Sequence, residues 1–206
     1  MKNRESITLF IDFEFSMPEG RGHKGFFPEI IEVGLLAVRG GKQEKFSSYV
    51  KPRVFKRLTR RCKNFLNISQ QQVDGGISFH ALVERLALYD EVGHCKVVTW
   101  GNMDMKVLKH NCQIAKIPFP FTGEFVDLSM EYKRFFGDRN QTGLWKAVQE
   151  YGKDGTGKHH KALDDAMTTY HIYQLVEKDK KYLNQSESTT IGDRVDFSVL
   201  RQFLAQ

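Results

Sequence analysis

Ile7-Thr-Leu-Phe-Ile-Asp-Phe-Glu-Phe15 is the stretch on which the reading of this chain turns. Its odd positions (Ile7, Leu9, Ile11, Phe13 and Phe15) are all apolar, the period-two pattern of a strand with one face on a core. Side chains alternate along a strand, so Asp12 and Glu14 leave the apolar face together, about 6.6 Å apart at the backbone. A wet, charged outer face is the ordinary explanation. A pair of oxygen donors for one small, hard cation is the other, and the pair alone does not decide between them.

Working outward, Thr8 to Phe15, Ile30 to Val38 and Lys45 to Val50 read as three strands. A loop with Pro18, Gly20, Gly22, Gly25 and Pro28 joins the first two, and Gly40-Gly41 is a hairpin turn between the second and third. Phe79, Leu82, Val83, Leu86 and Ala87 form one stripe of a helix. Lys96 to Trp100 is a short strand, broken by Gly101-Asn102 before a helix from Met103. An extended piece around Phe125 and Val126 precedes a helix reaching Phe136. Thr142 is expected to cap another, with Leu144, Ala147, Val148 and Tyr151 on its inner face. A last main helix starts near Lys161, with Leu163, Ala166, Met167 and Tyr170 inward. Strands first, then strands alternating with helices, predict an α/β fold: a mixed central sheet flanked by helices. Residues 1–183 are expected to form one domain. The polar run Asn184 to Thr190 reads as a linker to a short amphipathic helix carrying Phe197, Leu200, Phe203 and Leu204.

Composition narrows the function. The formal net charge is +6 over 206 residues, so an acidic metal pocket would sit inside a basic excess, as suits a polyanionic substrate. Cys62, Cys95 and Cys112 lack Cys-x-x-Cys spacing and are read as reduced thiols of a cytoplasmic protein, not a disulfide frame or zinc site. Neither a signal peptide nor an apolar run of membrane-spanning length is expected.

Further acids follow. Asp104 falls in the first turn of the helix after strand Lys96 to Trp100, where acids are favoured by the helix dipole but where ligands also collect beyond strand ends. His160 and Asp165, in His160-Lys-Ala-Leu-Asp-Asp165-Ala, open the last helix. Singly, each has an ordinary capping or solvated explanation. Together, in this order, they resemble the DEDDh branch of the DnaQ-like 3′–5′ exonuclease superfamily. Phe10-Ile-Asp-Phe-Glu14 matches the first motif, Trp100-Gly-Asn-Met-Asp104 the second, and His160 to Asp165 with the following alanine the third. Pro28-Glu-Ile-Ile-Glu-Val-Gly34, and Phe65 to Gln70 followed by Val73, resemble the exoribonuclease subgroup, most closely its bacterial KapD-type members. Asn102 departs from the pattern, standing where relatives often carry an acid. His159-His160 leaves a choice of register, and only His160 has the required spacing to Asp165.

The resemblance implies an RNase H-like fold and a two-metal phosphodiesterase acting on 3′ ends of single-stranded nucleic acid, RNA favoured over DNA. It implies Mg²⁺ or Mn²⁺ held by Asp12, Glu14, Asp104 and Asp165, with His160 as general base. Such chemistry needs hard oxygen donors, because two divalent ions neutralise the scissile phosphate and acidify water. Two alternatives remain: a DNA-directed exonuclease, and a regulatory interaction protein of a sporulation-kinase pathway on the same fold. Met17 is expected to border the terminal nucleotide. The acid-free basic run Lys51 to Lys63, with Arg57, Arg60 and Arg61, is either a solvated loop or a contact for substrate phosphates. Gly152-x-x-x-x-Gly157-Lys158 imitates a phosphate-binding loop, yet His159 replaces its Ser or Thr and a helix precedes it, so it is rejected as a nucleotide site.

Overall fold

The computed structural model describes residues 6–20, 24–91 and 95–185. Two compact units divide the chain, Met1–Ile172 and Tyr173–Gln206. The first holds a mixed sheet in the order β4-β3-β2-β1-β5-β6. Its strands are β1 (Ile7–Phe15), β2 (Ile30–Arg39), β3 (Lys42–Lys51), β4 (Ile77–Ser78), β5 (Cys95–Thr99) and β6 (Glu124–Asp127). Strands β1, β2 and β3 pair antiparallel, while β1–β5 and β5–β6 pair parallel. The Gly40-Gly41 turn takes φ of 52° and 77°, left-handed values that glycine adopts without strain. The helices are α1 (Arg60–Leu66), α2 (Gln70–Asp74), α3 (Phe79–Glu91), α4 (Met103–Ala115), α5 (Leu128–Phe136), α6 (Leu144–Glu150) and α7 (Ala162–Gln185).

Both faces of the sheet's centre are covered. Ile7, Leu9, Ile11 and Phe13 of β1 pack with Val33 and Leu35 of β2 against Leu82 and Leu86 of α3 and Leu108 of α4. On the opposite face Phe10 meets Tyr170 of α7, ring centroids 5.0 Å apart. The β1–β2 register slips by one residue between Glu14 and Phe15. Ile30 and Val33 therefore both reach the α3–α4 core, while Ile31 turns to a separate cluster with Leu58, Cys62, Leu66, Ile68 and Val73. That second cluster fixes α1 and α2 beside the end of β1.

Three expectations change in detail. The basic run is not all loop: Thr59 caps α1 by accepting the Cys62 N–H at 3.0 Å, and the helix starts at Arg60. Thr142 is not a cap. Gly143 takes the N-cap of α6, and the Thr142 hydroxyl bonds Asp138 at 3.2 Å. The linker expected from Asn184 begins inside α7, which runs to Gln185. Residues 186–190 and the stripe Phe197, Leu200, Phe203 and Leu204 lie outside the described residues. All three cysteines are free and buried. Among the described residues no helix is long and apolar enough to cross a membrane.

Candidate active site

A cleft of about 310 Å³ opens at the end of β1. Asp12, Glu14, Asp104, His160 and Asp165 all line it, together with Met17, Phe65, Trp100, Leu144, Trp145 and His159. Three elements bring the five expected residues together. Strand β1 delivers Asp12 and Glu14. Beyond Phe10↔Val98 the β1–β5 ladder stops, and Asp104 of α4 accepts the Phe13 N–H at 3.0 Å. Helix α7 delivers Asp165, and the turn before it delivers His160.

Gly34 makes the third approach possible. It pairs with Asp12 across β1 and β2, and a Cβ at position 34 would collide with the backbone of Ala162 and Leu163. The first turn of α7 therefore lies directly on the sheet, opposite Asp12. A larger residue would lift the helix and carry Asp165 and His160 away from the strand acids.

The acids are crowded enough to resist ionisation. Burial pushes Glu14 up to about 8, helped by the charges of Asp165, Glu32 and Asp104, with Lys161 opposing. Burial likewise raises Asp104 to about 7, against the hydrogen bond from Phe13. Asp12 keeps some surface on the cleft yet is raised well above the ordinary carboxyl value by burial and by its neighbours Asp104, Asp165 and Glu14. Asp165 is raised by burial despite two donors, Trp145 Nε1 at 2.6 Å on Oδ1 and the His160 N–H at 3.0 Å on Oδ2. Lys161 offsets part of this crowding at Glu14, and His159 part of it at Asp165. One donor atom each from Glu14, His160 and Asp165 lie within 4.8 Å of one another. Hard oxygen donors in that density fit a divalent cation, Asp12 and Asp104 adding oxygens on the same cleft wall.

His160 sits in the left-handed region, φ 60°, which costs a non-glycine residue about 1–3 kcal/mol. Its own N–H bond to Asp165 and a column of rings hold it there. Phe65 lies at 4.5 Å on one contact and His159 stacks at 3.9 Å on another, with Trp145 at 5.1 Å from His159. Burial, then His159, lowers the His160 pKa below the ordinary histidine value. Its Nδ1 stands 3.9 Å from Glu14 Oε1, too far for a direct hydrogen bond.

Of the other expected residues, Met17 lines the cleft, whereas Arg57, Arg60 and Arg61 do not. Arg61 is occupied with the glycine loop, its guanidinium donating to the Gly20 carbonyl at 2.7 Å. Arg60 lines a polar hollow on α1 and α2 with Lys63, Asn64, Asn67 and Gln72. Phe13 is buried in the core and Phe15 packs against it, each reaching the cleft wall, whereas Phe65 is 54% exposed beside the site. Sequence reading missed four contributors. Phe65 and Trp145 carried no distinctive spacing. Glu32 is a buried acid in the apolar run Ile30-Ile-Glu-Val-Gly-Leu-Leu-Ala37, paired across the sheet with Glu14 and 3.5 Å from Lys161 Nζ. Its misfit in that run was a readable signal. Glu29, beside it, accepts the N–H groups of Arg53, Val54 and Phe55 at 2.7–3.2 Å and anchors the start of the basic segment.

The exonuclease family model (RNase_T) matches residues 9–173, spanning every one of these acids. This chain belongs to the exonuclease family. It is 55% identical over 194 residues to the Bacillus subtilis (strain 168) protein named Probable 3′-5′ exonuclease KapD, covering 93% of this chain and 95% of that one. It is 30% identical to 3′-5′ exoribonuclease 1 of Rattus norvegicus over 91% of this chain, and spans 58% of that longer relative. Among solved structures, the nuclease domain of 3′hExo, a DEDDh family member bound to rAMP, superposes with a TM-score of 0.75 at 26% identity, covering 87% of this chain and 95% of that domain. Escherichia coli exonuclease I in complex with a dT13 oligonucleotide shares the fold, at a TM-score of 0.67 and 14% identity. The fold is thus that of the DEDDh exonucleases, and the chain is an enzyme, a 3′–5′ exonuclease.

Proposed function

We propose that this exonuclease removes nucleoside 5′-monophosphates one at a time from the 3′ end of single-stranded RNA, using two divalent cations. The observation that carries it is the meeting of Asp12, Glu14, Asp104, Asp165 and His160 on one cleft wall. Asp12, Glu14 and Asp165 would hold one ion, and Asp12 and Asp104 the other; when bound, Mg²⁺ or Mn²⁺ would neutralise charge on the scissile phosphate and acidify the attacking water. His160 takes the proton from that water beside Glu14, the water oxygen bonds to phosphorus as the bond from phosphorus to the 3′-oxygen of the shortened chain breaks, and that oxygen takes a proton from solvent. Phe65, Met17 and Leu144 offer apolar surface for the terminal base, since a flat ring accepts any base by stacking. Arg57, Arg60 and Lys63 lie beside Phe65 along the chain and are assigned to phosphates upstream of the cleft.

RNA preference is supported by relatives named exoribonucleases at 27–30% identity, and by a structural neighbour described as recognising the 3′ end of histone mRNA stem-loop, 26% identical with a TM-score of 0.75. The deciding experiment uses purified protein with end-labelled RNA and DNA of matched sequence, in Mg²⁺, Mn²⁺ and EDTA. Ladder-wise shortening of RNA from its 3′ end in either metal is expected, with DNA slower and EDTA abolishing both. Equal or faster cleavage of DNA would overturn the RNA assignment, and undiminished cleavage in EDTA the metal assignment.

A further inference from the structure

The geometry points to Trp145 as a positioning residue that aims Asp165 at the cation site, with the glycine-rich segment 152–158 as its backing. The inference rests on the reading of Asp165 as a metal ligand. Trp145 Nε1 donates to Asp165 Oδ1 at 2.6 Å, a short contact of the kind made to a charged acceptor. The second oxygen, Oδ2, receives the His160 N–H at 3.0 Å. Each oxygen thus has one donor from the protein, fixing the plane of the carboxyl while leaving each oxygen lone pairs for a cation.

The indole is itself held from behind. A Cβ at Gly155 would come within 2.5–2.8 Å of three Trp145 ring atoms, so the ring packs directly against the bare backbone at that position. Just after that contact the segment is tied twice to α7. The Thr156 N–H donates to Thr168 Oγ1 at 2.9 Å, and the Lys158 N–H to Asp164 Oδ2 at 2.8 Å. Gly157, at φ 65°, sits where a Cβ would strike the Asp164 carboxyl. Within the stretch that imitates a phosphate loop, Gly157 and Lys158 are therefore explained by the turn onto Asp164, and Gly155 by the packing of Trp145. In the adjacent pair, Asp164 anchors the segment and Asp165 faces the cleft.

Partners that orient a metal-binding group are worth about 10–100-fold in metal affinity. The test is calorimetric titration of Mn²⁺ into full-length wild type, Trp145→Phe and Gly155→Ala. Trp145→Phe removes the N–H donor together with part of the indole; Gly155→Ala keeps the donor and displaces the ring. Both should weaken Mn²⁺ about 10-fold, lower kcat with KM for a short oligonucleotide unchanged, and combine in the double variant without adding. Wild-type affinity in a folded Trp145→Phe protein would overturn the inference. Should that variant not fold, wild-type affinity in Gly155→Ala does the same. Absence of Mn²⁺ binding by wild type would overturn the metal reading itself, a distinguishable failure.

Discussion

Asp12 and Gly34 face each other across β1 and β2, and the backbone of Ala162 fills the space a side chain at Gly34 would need. One strand pair thereby carries both a candidate ligand and the vacancy that lets α7 deliver the others. Gly34→Ala is expected to cost about 1–3 kcal/mol or more through overpacking, because the obstacle is backbone and cannot rotate away. Activity should fall further than stability accounts for, since Asp165 and His160 move with the helix. Thermal melting together with nuclease rate at a temperature well below the melting point checks this. A variant with wild-type rate would show that α7 docks independently of Gly34.

Asp12→Asn should abolish nuclease activity by orders of magnitude while raising, not lowering, the melting temperature in EDTA. The substitution keeps the volume and removes one of several like charges whose crowding holds Asp12 above its ordinary pKa. Wild type and variant should differ oppositely once Mn²⁺ is added, because only wild type gains the full ligand set. Undiminished cleavage by the purified variant would dismiss the site assignment.

The same crowding sets the pH dependence of stability. Glu14 is raised from 4.5 to about 8 and Asp104 from 3.8 to about 7. Folding raises these carboxyl pKa values, so the folded state binds protons that the unfolded state has released, and stability falls as pH rises. Their contribution is complete below about pH 4 and is lost progressively up to about pH 8. In EDTA the melting temperature should therefore decline between pH 6 and 8.5, and Mn²⁺ should flatten or reverse that slope, since it binds the ionised acids. Differential scanning calorimetry across that range, with and without metal, decides it; a melting temperature in EDTA that climbs with pH would contradict the raised values.

How much of this was legible in the sequence follows from which interactions are local. Asp12, Glu14, Asp104, His160 and Asp165 were readable because each sits at a fixed offset within a strand end or helix start, and the structure places all five on one cleft. The mixed sheet flanked by helices and the Gly40-Gly41 hairpin emerged as expected, whereas the two-residue strand β4 is too short to leave a pattern. Helices α1 and α2 were missed because they are short, with Arg60 to Leu66 having only Cys62 and Leu66 buried. Phe65 was quoted only for resemblance, and its place at the site, like that of Trp145, was invisible for another reason. Their partners, His160 and Asp165, are distant in sequence, and no periodicity encodes such a pairing. Gly34 was quoted only for resemblance, although a glycine in an otherwise apolar strand is a physical sign of close backbone approach.

His160→Ala should lower the rate about 10²–10⁴-fold, the usual worth of a general base. The acid limb of the wild-type rate profile should have its midpoint below 6.5, because burial and His159 both disfavour the imidazolium. His159→Ala should cost far less rate and move that limb upward, as it removes a neighbouring positive charge and a stacking ring 3.9 Å away. Rate profiles of the three proteins under one metal condition distinguish the roles. A loss at His159 equal to that at His160 would assign the base wrongly.

The basic segment supplies the last expectation. Arg61 is committed to the Gly20 carbonyl, so its removal should disturb the glycine loop and not phosphate contact alone. Arg57 and Arg60 are exposed, and Arg60 shares a polar hollow with Lys63 and Asn64 one helical turn from Phe65. If upstream phosphates track this surface, Arg57→Ala with Arg60→Ala should weaken binding of a single strand and flatten the plot of log affinity against log salt by about 0.7–1.4 units of slope, the loss of one or two phosphate contacts. Measurements belong in Ca²⁺ or on the Asp12→Asn protein, so that binding is read without cleavage. Single-turnover cleavage at saturating substrate should stay near wild type, because neither arginine reaches the cleft that holds the acids. An unchanged slope would leave the segment a solvated surface, and the strand would then leave the cleft by another wall.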